Sequence, residues 1–335
     1  MYTLRYGVLS DVWRPEQRGR FLGLYMLIPL TGAAVGPIIG GFIIEYSTWP
    51  WLFHTTSILQ GIFEVCSLPI LYETYAPLIL RRRAVKIRQN TNDNRYYAQV
   101  EAYESGQSAI WKLRNSLSRP FRLLALHPTI QIQAILSGIN YGLLYLSLSS
   151  FSSLYIAAYG ESISISGLHY IAICIGEIAG AEIPLMDYLY RILKARAGGN
   201  DVPEHRIPLL LPGIILSALG LLCYGWAAEY RLSWAVVDVG AGLFCMGMQI
   251  FGTALRAYTM DSYPEHVSSA SAAVQLSRSL MAFGFPLFAP KMYAVLGYGW
   301  GNTLLTFLST GIALPSAGIL WRYGARLRAR RQSSY

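Results

Sequence analysis

The sequence predicts an all-α polytopic membrane protein with about eight transmembrane helices, on three observations. Long apolar stretches recur along it, the joints between them alternate between basic and nearly uncharged, and Trp and Tyr gather at the uncharged joints. The stretches are Phe21–Ile44, Trp51–Tyr72, Thr129–Ala158, Ile163–Pro184, Ile207–Ala228, Ser233–Arg256, Val267–Pro290 and Tyr298–Trp321. Each reaches the length of about 20 residues that a helix needs to cross a hydrocarbon core. Composition agrees: 53% of the 335 residues are hydrophobic and 13% charged, a balance foreign to a soluble globule.

Taken in order, the joints give each span its direction. Arg14, Arg18 and Arg20 precede the first span, and Ser47–Pro50, flanked by Tyr46, Trp49 and Trp51, carries no charge to the second. The polar stretch before the third span holds Arg81, Arg82, Arg83, Lys86, Arg88, Arg95, Lys112, Arg114, Arg119 and Arg122. Tyr159–Ser162, beside Tyr155, has no basic residue, whereas Arg191, Lys194, Arg196 and Arg206 separate the fourth and fifth spans. Only Arg231 lies in the next joint, among Trp226, Tyr230 and Trp234. The sixth and seventh spans are joined by a short segment, Lys291 with Tyr293, Tyr298 and Trp300 marks the last joint, and the tail carries Arg322, Arg326, Arg328, Arg330 and Arg331. Short loops rich in Lys and Arg stay cytoplasmic, and aromatic rings favour the headgroup level. The basic joints and the tail are therefore expected inside, and the four aromatic groups at the outer interface.

The same residues exclude other classes. A net charge of +9 raises the question of nucleic acid, but the positive residues sit in joints between spans, where orientation and anionic lipid account for them. Cys66, Cys174, Cys223 and Cys245 all fall within spans without CxxC spacing, and read as small buried apolar residues. His54, His127, His169, His205 and His266 are scattered along the chain. No metal cluster, cofactor motif or nucleophile–base pair is legible, so an enzyme is not expected.

The 50-residue stretch from Ala76 to about His127 divides two spans from six. It opens on the basic run at Arg81, passes through polar sequence, and closes in Ile110–Leu126, where apolar residues interleave with Lys112, Arg114, Arg119 and Arg122. That last part has the pattern of an amphipathic helix on the inner leaflet, with Pro120 breaking or starting it. A cytoplasmic linker with lipid contact and a plain solvated linker are the two readings of the run. The division gives 1–75, 76–127 and 128–335 as organisational units.

Four segments carry a resemblance. They are Asp11-Val12-Trp13-Arg14-Pro15-Glu16-Gln17-Arg18-Gly19-Arg20, Gly32-Ala33-Ala34-Val35-Gly36-Pro37-Ile38-Ile39-Gly40-Gly41, Glu73-Thr74-Tyr75-Ala76-Pro77, and Asp261-Ser262-Tyr263-Pro264 followed by Arg278-Ser279-Leu280 and Gly284-Phe285-Pro286. In this order they resemble the fungal drug:proton antiporters of the major facilitator superfamily, the twelve-span multidrug and polyamine branch. The resemblance implies a major facilitator fold of two six-helix halves, with substrate near the midplane between them. It implies that the chain begins at the end of that family's span four. Residues 1–75 then hold the end of span four with spans five and six, and 128–335 the C-terminal half. By the same resemblance the function is proton-coupled efflux of small amphipathic organic compounds at a fungal plasma membrane, with substrate, protons and lipid as partners. The alternative is a non-transporting remnant, or a membrane subunit whose partner supplies the missing helices.

Candidate site residues follow. Gly32, Gly36 and Gly40 recur every four residues, so a helix lines them up as one smooth stripe, with Gly41 beside it and Pro37 bending the axis. Two readings stay open: close helix packing of the small-xxx-small kind, or a seal between the transporter halves. Glu64, read as mid-span, and Glu177 are candidate proton carriers, because a charge at bilayer depth costs about 2.5–3.5 kcal/mol and is seldom without a use. Arg278 matches the family pattern, and a structural Glu177–Arg278 pair is the bland alternative. Asp11, Arg18 and Arg20, with Asp187, Arg191 and Asp261, resemble the family's cytoplasmic gate loops. Tyr188 stands where the family has a basic residue after the acid, a departure at that gate.

Overall fold

The computed structural model describes residues 35–69, 76–91, 95–98, 109–181, 202–263 and 267–329, with the isolated residues 32 and 192. Among them the helices are α1 (Val35–Tyr46), α2 (Trp49–Ser67), α3 (Ala76–Thr91), α4 (Ala109–Leu126), α5 (Pro128–Leu154), α6 (Ile163–Leu168), α7 (Tyr170–Ala181), α8 (Leu210–Glu229), α9 (Trp234–Ser262) and α10 (Val267–Ala329). A 3₁₀ segment, Pro203–Leu209, leads into α8. α6 and α7 together make one span, and α10 bends at Gly297 into two. Among the described residues five helices are long and apolar enough to cross a membrane, the bent α10 among them, and α1 is a shorter apolar helix; most of the first expected span, Phe21–Ile44, lies outside the described residues.

Local chemistry sets the ends. Pro128 opens α5 at its first helical position, where the missing N–H costs nothing, and His127 before it is extended. α5 closes through a wider π turn, Tyr155–Tyr159, stopped by Gly160 at φ 69°. Ser162 then caps α6, its hydroxyl accepting from the Ile165 N–H at 3.4 Å. Between α8 and α9, the Leu232 N–H reaches the Ala227 carbonyl at 2.9 Å and the Arg231 N–H the Ala228 carbonyl at 3.2 Å. This pair of bonds ends a helix through one left-handed residue, here Arg231 at φ 49°.

One joint is located more finely and one expectation about a boundary changes. Within the joint expected between Pro290 and Tyr298, the helix runs on through Lys291 until Gly297 supplies φ 71°. A Cβ there would also lie 2.5 Å from the Glu229 carboxylate, whose Oε2 accepts from the Gly299 N–H at 3.1 Å. Pro120 neither breaks nor starts a helix, since α4 passes through it. The helix forgoes the one hydrogen bond that proline cannot make and continues.

The residues form two compact units: 1–25 with 50–119, and 26–49 with 120–335. In the first, α2 buries no side chain. Its hydroxyls bond back within the helix, Thr55 Oγ1 donating to the Trp51 carbonyl at 2.7 Å and Thr56 Oγ1 to that of Leu52 at 3.0 Å.

The second unit has the inverted surface of a protein dissolved in lipid. Phe307 is 74% exposed, Phe283 71% and Leu287 68%, while Gln133, Ser166 and Asn302 are fully buried. Water would reverse that distribution; hydrocarbon tolerates apolar faces outside and demands partners for polar groups within. Several of the polar groups have them. Thr259 donates to Gln133 Oε1 at 2.6 Å, Tyr293 to Asn302 Oδ1 at 2.8 Å, and the Thr129 and Tyr263 hydroxyls share a hydrogen bond.

Close approach of backbones does the rest. A Cβ on Gly213 would lie 2.6 Å from the Phe251 nitrogen, and one on Gly240 would lie 2.5 Å from the Tyr224 nitrogen, so α8 and α9 touch main chain to main chain. Aromatic side chains fill one end of this unit, with Phe151, Tyr155, Tyr170, Tyr224, Phe244 and Tyr293 in one cluster. Leu136, Leu210, Phe251, Leu255, Tyr258 and Leu320 fill the other.

Candidate functional site

The glycine-rich helix α1 seats on the start of α6. A Cβ on Gly41 would lie 2.9 Å from the Ile163 carbonyl oxygen, and one on Gly167 would lie 3.0 Å from that of Pro37. Just beyond, the Glu45 carboxylate accepts the Ser164 N–H at 2.7 Å, satisfying an amide at a helix start that has no partner within its own helix. The contact thus runs through Pro37, Gly41 and Glu45. Gly40 is buried, whereas Gly32 and Gly36 meet nothing within 4 Å among the described residues. The four-residue spacing marks a smooth face, but the touching position at the far end is Gly41, one residue on.

Charged side chains lie among the apolar helices. Glu177 on α7 is buried, and Arg256 on α9 is within electrostatic reach of it. Arg278 on α10 is 9% exposed and places its guanidinium 3.6 Å from the centroid of the Tyr141 ring, with Nη1 donating to Gln275 Oε1 at 3.2 Å. Tyr141 stacks in turn on Tyr145, centroids 6.3 Å apart. A guanidinium on an aromatic face keeps much of its electrostatic stabilisation without water, a contact worth about 2 kcal/mol when desolvated. A small recess opens between α5, α8, α9 and the second arm of α10. Asn140, Ser217, Ser309 and Thr310 contribute polar atoms to it, and Met248 and Phe251 apolar ones. Asn140 also donates to the Met248 carbonyl at 3.2 Å, tying α5 to α9.

Ion pairs hold the basic end of the same unit. Arg206 Nε lies 3.0 Å from Asp261 Oδ2, joining the entry to α8 with the end of α9. Arg328 Nη2 lies 2.7 Å from Glu204 Oε1, and Arg328 also donates to the Ser262 hydroxyl at 3.3 Å. Of the expected gate residues, Asp261 is thus in an ion pair. Asp11, Arg18, Arg20, Asp187 and Arg191 lie outside the described residues. Glu64 lies on α2, exposed among the described residues, and accepts from Gln60 at 2.8 Å.

The aromatic end holds a group that the scattered histidines concealed in the sequence. His169, at the junction of α6 and α7, places Nδ1 2.8 Å from Asp238 Oδ2 and Nε2 2.9 Å from Glu161 Oε2. Tyr155 donates to the other Asp238 oxygen at 2.6 Å and stacks on the imidazole, centroids 3.8 Å apart. A Gly-Glu-Ser joint followed by a histidine seven residues after Ser162 was the available signal, weak because the Asp238 carboxylate arrives from another helix.

Comparison with known proteins completes the description. The family model of the Major Facilitator Superfamily matches residues 1–286. The chain is 63% identical over 337 aligned positions to the probable efflux pump mfs2 of Aspergillus flavus, covering 100% of this chain and 79% of that protein. It is 39% identical to the efflux pump vrtL of Penicillium aethiopicum, over 96% of this chain and 64% of that protein. It is 37% identical to an uncharacterized transporter of Schizosaccharomyces pombe, over 96% and 66%. The chain therefore spans about two thirds of the length of the latter two relatives.

Proposed function

Because the chain belongs to the major facilitator superfamily, we propose that it acts in proton-coupled efflux of small amphipathic organic compounds across the fungal plasma membrane. The efflux direction rests on the names of relatives at 63% and 39% identity. The observation that supports the coupling is a set of intramembrane charges, Glu177 and Arg278 buried and Arg256 half-buried, inside a bundle whose outer faces are apolar. A carboxylate there can be held charged by Arg256 in one arrangement and protonated in another, so proton uptake favours one conformation over the other. Glu177 is the proton carrier in this reading, and Arg278, fixed on Tyr141, keeps a positive charge facing the interior. The lining of the recess, where Asn140, Ser217, Ser309 and Thr310 accompany Met248 and Phe251, supports an amphipathic substrate.

The α1–α6 contact has the role of a seal. Backbones touching without intervening side chains can part and close again with little rearrangement, which suits two bodies that rock. The ion pairs Arg206–Asp261 and Glu204–Arg328 stabilise the basic end as one rigid piece. The test is export from cells: yeast lacking its own drug pumps, expressing this chain, is loaded with a fluorescent amphipathic dye. Lower steady-state dye than in cells carrying an empty vector is expected. Equal dye, with the chain present at the plasma membrane, overturns the proposal.

A further inference from the structure

The structure assigns a proton-binding site at the aromatic end of the bundle: the imidazole of His169, held between the carboxylates of Glu161 and Asp238. Both ring nitrogens lie within hydrogen-bond distance of a carboxylate oxygen, 2.8 Å to Asp238 and 2.9 Å to Glu161. A neutral imidazole has one N–H and one lone pair, so with two carboxylates one of these contacts would set a lone pair against an anionic oxygen. Carboxylates donate nothing, and the Tyr155 hydrogen is already given to Asp238 Oδ1 at 2.6 Å. The arrangement therefore holds one proton more than neutral imidazole supplies, and imidazole is a stronger base than carboxylate, so that proton resides on the ring.

The surroundings are built for this. His169 is 9% exposed, with Tyr155 stacked on one side and the Trp234 ring edge-on at 5.6 Å. Tyr155 belongs to the π turn, a form of helix often kept where a side chain must be re-aimed. Other ionisable groups on this end, among the described residues, include Tyr159, which donates to the Leu232 carbonyl at 2.6 Å, Arg231 in the α8–α9 turn, Glu229 at the end of α8, the tyrosines Tyr170, Tyr224 and Tyr293, and Glu45 on α1. Protonated, the site is an imidazolium between two carboxylates; deprotonated, it is a neutral ring with two.

Release of the proton has a defined consequence. The ring keeps one N–H and therefore one carboxylate. Asp238 is retained, because Tyr155 and helix α9 hold it, whereas Glu161 stands on the short joint 160–162. That joint leads into Ser162, which caps α6, and the first turn of α6 is where Gly41 and Glu45 of α1 make contact. Proton occupancy at His169 thus fixes the seat of α1 on α6. This holds independently of what the protein exports or what drives the export.

The test uses the full chain in lipid nanodiscs with ¹⁵N-labelled histidine. The nitrogen signals of His169 are identified as those lost in His169→Gln. At pH 7 the wild-type ring is expected to show both nitrogens protonated, and Asp238→Asn is expected to convert the ring to the neutral pattern at the same pH. One bare nitrogen in the wild type at pH 7, or an unchanged ring in Asp238→Asn, overturns the assignment. Amide exchange reads the consequence. In His169→Gln, residues 160–168 should exchange at least tenfold faster than in wild type, with α8 and α9 unchanged as the measure of an intact fold; equal rates at 160–168 refute the link to the α1 seat.

Discussion

Replacing Gly240 by Ala adds one methyl group where α9 meets α8. That Cβ would lie 2.5 Å from the Tyr224 nitrogen and 2.9 Å from its Cα, both main-chain atoms that no rotamer change can move. Ordinary contact needs about 3.5–4.0 Å, so the helices must part by about 1–1.5 Å at this level. Overpacking of this kind costs about 1–3 kcal/mol. Gly252 on the same helix is the control, because its added Cβ would sit 3.6 Å from the Asn140 amide nitrogen, an ordinary contact with a side chain. Alanine gains about 0.8–1 kcal/mol of helix propensity at either position, which cancels in the comparison. The two variants should therefore differ by the packing cost alone, about 2–12 °C in melting temperature at about 2–4 °C per kcal/mol. Thermal unfolding of both purified chains in one detergent reads it. Coincident melting curves would refute main-chain contact between α8 and α9.

At the α1 seat, Gly41→Val should disrupt the contact with Ile163 and impair export, while Gly36→Val should be tolerated; equal export by the two variants would argue against the seal. Arg328→Ala strands the buried Glu204 carboxylate and should cost about 1–3 kcal/mol, with Glu204→Gln in the same chain recovering part of it; no recovery means that Arg328 acts elsewhere. Topology is tested by single cysteines in a background without Cys66, Cys174, Cys223 and Cys245. In intact cells an impermeant maleimide should label Ser47→Cys and spare Gln89→Cys, and the reverse pattern would invert the chain.

The spans were legible because hydrocarbon imposes a length and an apolar content that a sequence displays directly. Their ends were legible where glycine, serine or proline supplied a special geometry, as at Gly160, Ser162 and Pro128. The joint after Lys291 was legible, but not that it is a bend at Gly297 alone, because a single lysine looks like a loop, whereas a long aliphatic stem allows it to stay on a helix near the interface. Pairings were harder still. Glu177 and Arg278 are both intramembrane charges, and nothing in their spacing reveals that Arg256 also comes within electrostatic reach of Glu177. The same holds for His169, whose two carboxylates come from the preceding joint and from a helix about 70 residues away, a distance no local pattern spans. The α8–α9 glycines also escaped notice, because Gly213 and Gly220 enclose Ser217 at unequal steps and their partners lie on the next helix.

The central claim is that a proton bound within this bundle drives export, and Glu177 is the group assigned to bind it. The direct measurement uses inside-out plasma-membrane vesicles containing the full chain, with an acidic interior and a fluorescent amphipathic dye outside. The account predicts that wild-type vesicles accumulate dye, that a protonophore abolishes accumulation, and that Glu177→Gln, equally abundant, accumulates none while still exchanging dye for dye. Accumulation by Glu177→Gln at the wild-type rate under the same pH gradient would contradict it.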